Sequence, residues 1–320
     1  MQIIPMSTLA PQIVATTAVE SQSGSRKFHL FMAFACSVIL AVSVLGCWLT
    51  SIHVAGLGAR ILAFLAVIAM VMPVPAYWHE EGRTAFRDAA LTIPWAVLLA
   101  VLLPFPILVG ARLRTPLRDA LFAHSDRLLG VNVPGIMAWA HSHWIGPVLA
   151  QSYYLLTPLL IVAIFVPALT GKVRQANEFI IANVIAFSIA VPAFTLFPAV
   201  GPWYFYGLSP DPAQDFCQKQ LLALHHPGVY SFLSQGSGII CFPSFHVVWA
   251  VLCAAALWGF RPLRVPVAVL SAMIAFSALT TGWHYFIDVL GGLVLAMLSL
   301  TLAKLFLRHG WSSVRAQGTA

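Results

Sequence analysis

Two short strings hold the residues of this chain that are equipped for chemistry. One is Cys241-Phe242-Pro243-Ser244-Phe245-His246; the other is Thr280-Thr281-Gly282-Trp283-His284-Tyr285-Phe286-Ile287-Asp288. His284 and Asp288 are four residues apart, so on a helix they share one face. A carboxylate bonded to one ring nitrogen fixes the tautomer and raises the basicity of the other, which is what a histidine nucleophile or general base requires. In the first string Pro243 suits the first turn of a helix, where its missing N–H costs nothing. The N–H groups of Ser244, Phe245 and His246 would then lie at the positive end of a helix dipole, a ready anion site, with the Ser244 hydroxyl as a further donor. His246 at its rim can hand a proton to a leaving oxygen. Together these groups predict transfer of a phosphoryl group to His284 while His246 protonates the departing alcohol, followed by release to a second acceptor.

Each histidine sits at the edge of a long apolar run, and the elements that must position it are membrane spans. Sixty percent of the residues are hydrophobic and eight percent charged, against about 25% charged in a soluble domain. An ionisable group at the centre of a membrane helix costs roughly 2.5–3.5 kcal/mol or more, so such groups call for a purpose. Runs long enough to span a bilayer occur at about 28–50, 54–77, 89–111, 144–168, 178–200, 243–260, 265–283 and 285–307. The expectation is an all-α polytopic membrane protein of about eight helices. Residues 1–27 read as a disordered polar tail, 28–88 as two N-terminal spans and 89–310 as a catalytic bundle. The segment from Pro116 to Phe122 mixes charge with an apolar face and is expected to lie along the interface.

Charge sets the orientation. With the N-terminus in the cytoplasm, Arg26, Lys27, Arg83, Arg87, Lys172, Arg174, Arg261, Arg264, Lys304, Arg308 and Arg315 lie inside, and Arg60, Arg112, Arg114, Arg118, Arg127 and Lys219 outside. Alternation of the spans then brings three segments to one extracytoplasmic face: the loop Phe197–Trp203 with Gly201, Pro202 and Trp203, the Pro243–His246 string and the His284–Asp288 string. The net charge of +7 is scattered over short loops, which is the pattern of topology and not of nucleic-acid binding.

Other readings compete for some of these residues. A His-Asp pair alone serves equally as a structural ion pair, and Trp203, Tyr204, Phe205 and Tyr206 also read as an interfacial aromatic belt. Of the five cysteines, Cys36, Cys47 and Cys253 lie in apolar runs. Cys217 and Cys241 lie in or beside the long loop Gly201–Phe242, where they either pair or remain thiols. A bridge would close about 25 residues and contribute on the order of 3 kcal/mol. No Cys/His spacing typical of a metal site occurs, and no metal or cofactor is expected.

Pro-Ser-x-His followed 38 residues later by His-Tyr-x-x-Asp resembles the phosphatidic acid phosphatase type 2 superfamily, over about residues 90–307. That family includes lipid phosphatases, polyprenyl-diphosphate phosphatases, vanadium haloperoxidases and sphingolipid phosphotransferases. The resemblance implies His246 as acid, His284 as nucleophile and Asp288 as its orienter. The phosphatase branch carries a Lys…Arg-Pro motif where this chain has Phe197–Trp203, and Ser-Arg where it has Ser277-Ala278. Two phosphate-gripping cations are therefore absent, a pattern similar to the inositol phosphorylceramide synthase-like branch. Lys219, Arg112, Arg114 and Arg118 are the remaining outer-face candidates.

The expected protein is thus an integral membrane enzyme working on a lipid with a phosphorylated headgroup at the extracytoplasmic face. Ser244, Phe245 and Ser277 are the expected phosphate binders. Transfer of the phospho-headgroup to a lipid acceptor leads. Hydrolysis of a lipid phosphate or polyprenyl diphosphate is the alternative, and a non-catalytic scaffold or transporter is the alternative of another class.

Overall fold

The structure, a computed structural model, describes residues 6–54, 84–224, 228–230 and 239–315, together with Gly58, Leu62, Leu65 and Ala69. Apart from Val54 and those four positions the expected second span, 54–77, lies outside the described residues, as do Arg60 and Arg83 of the charge tally. Apart from one pair of three-residue strands and the connecting loops, the described residues are helical, and the expected all-α class is what is found.

Helix α1 (Met6–Thr50) carries the first span, and its backbone is helical well ahead of the apolar run, through the segment read as a tail. Phe28, Met32, Ala35 and Cys36 face inward at helical spacing, while Leu30, Phe34, Val38, Val42 and Leu49 are exposed. A helix that leaves an apolar face bare over this length has lipid as its solvent. Helices α2 (Thr84–Leu102) and α3 (Pro104–Arg112) form the third expected span, with the break at Leu103, just before Pro104. The interfacial helix α4 (Asp119–Leu128) and α5 (Val133–Ser142) follow.

The fourth span is α6 (Ile145–Tyr154) and α7 (Leu156–Leu169), bent by 47°. Pro158 accounts for the bend: it cannot donate to the Tyr154 carbonyl and its ring crowds it. Helix α8 (Val173–Leu196) is the central element, packed against α7, α3 and the two helices that carry the second and third site segments. Its Ala182, Ala186 and Ala190 are fully buried in one stripe, which lets neighbouring backbones come close.

The long loop after α8 holds the short α9 (Pro202–Phe205) and α10 (Pro212–Ala223). Its far part pairs Gly228–Tyr230 (β2) in parallel with Ile52–Val54 (β1), the only strands among the described residues. Three helices complete the bundle: α11 (Phe245–Leu257), α12 (Arg264–Thr280) and α13 (Phe286–Arg315). Five described helices are long and apolar enough to cross a bilayer, six if the bent pair counts as one, and α11 is a shorter apolar helix.

Polar contacts between helices are sparse and specific. Thr92 Oγ1 donates to Asn177 Oδ1 at 3.3 Å, Trp249 Nε1 to Asn183 Oδ1 at 2.7 Å and Ser271 Oγ to the Ala250 carbonyl at 2.9 Å. Each is worth about 0.6–2 kcal/mol. Packing of α11 against α13 needs glycine. A Cβ on Gly292 would lie 2.6 Å from the Ser244 carbonyl oxygen, and one on Gly291 would lie 2.9 Å from the Phe242 ring. The loop ahead of α11 therefore rests directly on the backbone of α13.

Candidate active site

The three expected segments do meet at one end of the bundle. The His246 and His284 rings lie 5.7 Å apart between centroids. His284 and Asp288 are 2% and 0% exposed, so neither is an interfacial anchor.

The orientation of His284 differs from the expected one. Its Nδ1 lies 2.9 Å from the Cys241 carbonyl and 3.7 Å from Asp288 Oδ2. A carbonyl only accepts, so Nδ1 carries the hydrogen and Nε2 keeps its lone pair. The Cys241 carbonyl is thus the nearer orienter. Asp288 binds the two strings together: its Oδ2 accepts from the Tyr285 N–H at 2.8 Å and from the Cys241 thiol at 3.1 Å, and its carbonyl accepts from Ser244 N–H at 3.0 Å. The bond to Tyr285 is a carboxylate three residues into α13 reaching back to cap its start.

This arrangement decides one open alternative and corrects one expectation. Cys217 and Cys241 are not bridged; both are buried and neither is in a disulfide, because the Cys241 thiol points at Asp288. Burial and the neighbouring carboxylates push the Cys241 thiol well above the usual thiol range. Helix α11 begins at Phe245, two residues later than predicted, with Ser244 as its N-cap and the Phe242–Pro243 bond cis. The Ser244 N–H is taken by Asp288. The first bond of the helix runs from Val248 N–H to the Ser244 carbonyl at 3.1 Å, so the N–H groups of Phe245, His246 and Val247 precede its ladder. The Ser244 hydroxyl is fully buried and has no partner among the described residues. The Phe245 ring is structural, 4.1 Å from Phe187.

His246 is held by a residue that sequence reasoning missed. Tyr153 of α6 stacks on it at 3.9 Å between centroids, and its hydroxyl lies 3.1 Å from His246 Nδ1. Nothing in the spacing around Tyr153 announces this, since the pair is 93 residues apart. The Trp283 ring lies nearly parallel to Tyr153, 5.8 Å away between centroids.

Two carboxylates of α4 were also missed. Asp119 accepts from the Gly201 N–H at 2.9 Å, the Val200 N–H at 3.1 Å and the Tyr285 hydroxyl at 3.0 Å. Asp126 accepts from the N–H groups of Phe286 and Ile287, both at 2.9 Å, and so caps α13 from another helix. Asp119, Phe122, Ala123 and Asp126 form the buried stripe of α4. The face of this helix turned to the protein is thus half carboxylate, which corrects the simple apolar face expected of it. A signal was present: two of only ten acidic residues stand seven apart on one helical stripe. Burial pushes both carboxyls above the usual carboxylate range, against the lowering effect of the bonds they accept.

Gly201 and Trp203 reach the site, and Pro202 opens α9 beside it. Gly201 has φ +132°, and a Cβ there would lie 2.9 Å from the Trp283 carbonyl. The Trp203 N–H donates to the Gly282 carbonyl at 3.3 Å. Ser277 is buried, but its hydroxyl hydrogen goes to the Ile274 carbonyl at 2.7 Å, leaving only a lone pair for a ligand. Lys219 is exposed and pairs with Asp215 on its own helix at 2.6 Å. Arg112 donates to the Thr50 and Leu224 carbonyls, and Arg114 and Arg118 are exposed. Cys241, His284 and Asp288 are the one group of metal-ligating types among the described residues whose atoms lie within 4.8 Å of one another.

A cavity of about 590 Å³ adjoins the site, between α5, α6, α9 and the end of α12. Met137, Ala138, Pro147, Ala150, Leu208 and Trp203 give it an apolar wall, and Asp211, Gln214 and Thr281 a polar edge.

The PAP2 superfamily is matched over residues 120–302, more than half of the 320-residue chain. The match takes in both histidine strings and α4 from its second residue. No curated protein and no solved structure matches the chain.

Proposed function

The chain belongs to the PAP2 superfamily, whose members are typically phosphatases or phosphotransferases, and from that premise we propose that it is an integral membrane lipid phosphotransferase. It works at the extracytoplasmic face through a phosphohistidine on His284, in the manner of the inositol phosphorylceramide synthase-like branch. The observation that carries the reading is the pair of buried histidines at 5.7 Å, His284 with its Nδ1–H given to the Cys241 carbonyl and Nε2 left as a base.

In the first half-reaction His284 Nε2 attacks the phosphorus, an N–P bond forms, and the P–O bond to the departing alcohol breaks. His246 gives that oxygen its proton. As the acid His246 enters the step as imidazolium, its Nδ1–H given to the Tyr153 oxygen and its Nε2–H to the leaving oxygen, and it leaves the step neutral with Nε2 free to take the next proton. In the second half the acceptor alcohol gives its proton back to His246, its oxygen attacks phosphorus, and the N–P bond breaks. The Ser244 hydroxyl and the first-turn N–H groups of α11 hold the phosphoryl oxygens throughout. The apolar cavity behind Trp203 is of a size that suits a lipid chain.

The test compares membrane lipids by mass spectrometry with and without the gene, alongside His284→Ala. A new headgroup lipid that disappears in His284→Ala, together with an acid-labile phosphoenzyme in the wild type, is expected. Loss of a lipid phosphate with no new headgroup lipid would replace transfer by hydrolysis. Unchanged turnover in His284→Ala would remove the mechanism.

A further inference from the structure

Three buried side chains beside the proposed nucleophile are of the types that ligate metal: Cys241, His284 and Asp288. Cys241 Sγ lies 3.1 Å and His284 Nδ1 3.7 Å from Asp288 Oδ2, and one ligand atom from each residue falls within 4.8 Å of the others. Zinc bonds run to about 2.0–2.2 Å for nitrogen and oxygen and about 2.3 Å for sulfur, so the atoms around one tetrahedral zinc stand roughly 3.3–3.7 Å apart. Small shifts would let these three share an ion. Sequence spacing hides the group, because Cys241 and His284 are 43 positions apart.

A second, independent observation points to the same place. Asp288 is fully buried, and its Oδ1 has no hydrogen-bond partner. Unsatisfied buried polar atoms are rare in native proteins and each needs an explanation. The other oxygen, Oδ2, takes the Tyr285 N–H and the Cys241 thiol, both neutral donors. A buried carboxylate is costly without a positive partner. A divalent ion supplies one. Its two positive charges are cancelled by the Asp288 carboxylate and a Cys241 thiolate, with the His284 imidazole as a neutral ligand, so the filled cluster carries no net charge.

The ligand set also selects the ion. Thiolate with imidazole suits a borderline-soft metal such as Zn²⁺, whereas Mg²⁺ and Ca²⁺ are held by oxygen ligands.

We propose that Cys241, His284 and Asp288 form a Zn²⁺ site that silences the enzyme. On binding, the Cys241 thiol releases its proton to solvent and its sulfur coordinates the ion. His284 turns Nδ1 from the Cys241 carbonyl to the ion; the hydrogen carried there leaves, and Nε2 takes one up. The ring stays neutral, but its one hydrogen now occupies the lone pair that would attack phosphorus. One proton is released in all, and nothing is oxidised or reduced. The silencing rests on the reading of His284 Nε2 as nucleophile; the metal site does not.

Metal titration of the full chain in detergent micelles tests the site, with incubation before each reading because the ligands are buried. Cd²⁺ is the probe, since its bonds to thiolate give an ultraviolet charge-transfer band. One Cd²⁺ per chain should bind with that band, and Zn²⁺ but not Mg²⁺ should displace it. Cys241→Ser keeps a donor for Asp288, and His284→Ala removes a second ligand. Each should weaken binding on the order of a hundredfold or more, and Cys241→Ser should also lose the band. Thermal melts of the metal-free variants show that they are folded, and the wild-type stoichiometry and the Zn²⁺/Mg²⁺ contrast are read without them. No band in the wild type, displacement by Mg²⁺, or a band of full strength in folded Cys241→Ser, which would put the metal on other thiols, overturns the proposal. In isolated membranes, saturating Zn²⁺ should lower formation of the headgroup lipid about tenfold or more, and a chelator should restore it. Zn²⁺ bound at Cys241 with formation unchanged overturns the silencing, and His284→Ala then tells why. If that variant still forms the lipid, the reading of His284 as nucleophile has failed; if it does not, the metal inference alone has failed.

Discussion

At the scale of single residues, each histidine is oriented by an uncharged group. His284 gives its Nδ1–H to the Cys241 carbonyl at 2.9 Å, and Asp288 stands 3.7 Å away. Substituting Asp288 would therefore disturb the joint between two strings as well as the charge beside the proposed nucleophile. His246 depends on Tyr153, which acts on the reaction only through the ring it holds. Tyr153→Phe keeps the stacked ring and removes the hydroxyl, so the fold and the substrate KM should change little. With its tautomer no longer set, His246 should lose part of an acid contribution that is typically 10²–10⁴-fold. The expected result is a fall in kcat of about tenfold for donors with poor leaving alcohols and almost none for those with good ones. An equal fall for both would place Tyr153 in the structure and not in the proton transfer.

At the scale of elements, α4 is the clamp. Asp119 ties the end of the α8 loop to Tyr285, and Asp126 caps α13, so one helix sets the relation of two site segments. Burial raises both carboxyl pKa values above the ordinary aspartate value of about 3.9. The native state then holds these protons more tightly than the unfolded chain. Their contribution to stability is fully present below about pH 3.9 and is lost as pH rises through the raised native values. In melts of the full chain the melting temperature should fall with rising pH across that window. Asp126→Asn should flatten the fall. It should also lower the melting temperature at neutral pH, because one of the two accepting oxygens becomes an NH2 donor and leaves Phe286 or Ile287 N–H unmet, at about 1–3 kcal/mol. A wild-type melting temperature that rises with pH in that window would contradict the argument.

At the scale of the whole molecule, the site is built at one end of a helical bundle whose outer apolar faces are bare. The proposed extracytoplasmic placement follows from the eleven-to-six distribution of Lys and Arg. Lys219→Cys and Arg261→Cys, at exposed positions on opposite sides of the expected membrane, report it. A membrane-impermeant thiol reagent should label position 219 in intact cells and position 261 only after permeabilisation. The reverse pattern would put the site, and the lipid leaflet it draws from, on the cytoplasmic side.

What the sequence determined by itself was whatever a one-dimensional pattern can encode. Apolar runs of bilayer length set the all-α class, because lipid offers the backbone no partner and only helices or closed barrels can span it. Alternation of those runs was enough to bring Gly201, Ser244, His246 and His284 to one end. The residue types at His246, His284 and Asp288 suggested the chemistry proposed for the site. The tertiary structure decided the partners. Cys241 meets His284 across 43 positions, Tyr153 meets His246 across 93, and Asp126 meets Phe286 across 160. A bond to a carbonyl or an N–H has no residue type to betray it, and a tyrosine among many aromatics has no spacing to mark it. Whether Cys217 and Cys241 pair stays open in the sequence for the same reason, and both are free thiols. Nearness in a loop does not say where a thiol points, and here the nearest strong acceptor was the buried Asp288 carboxylate.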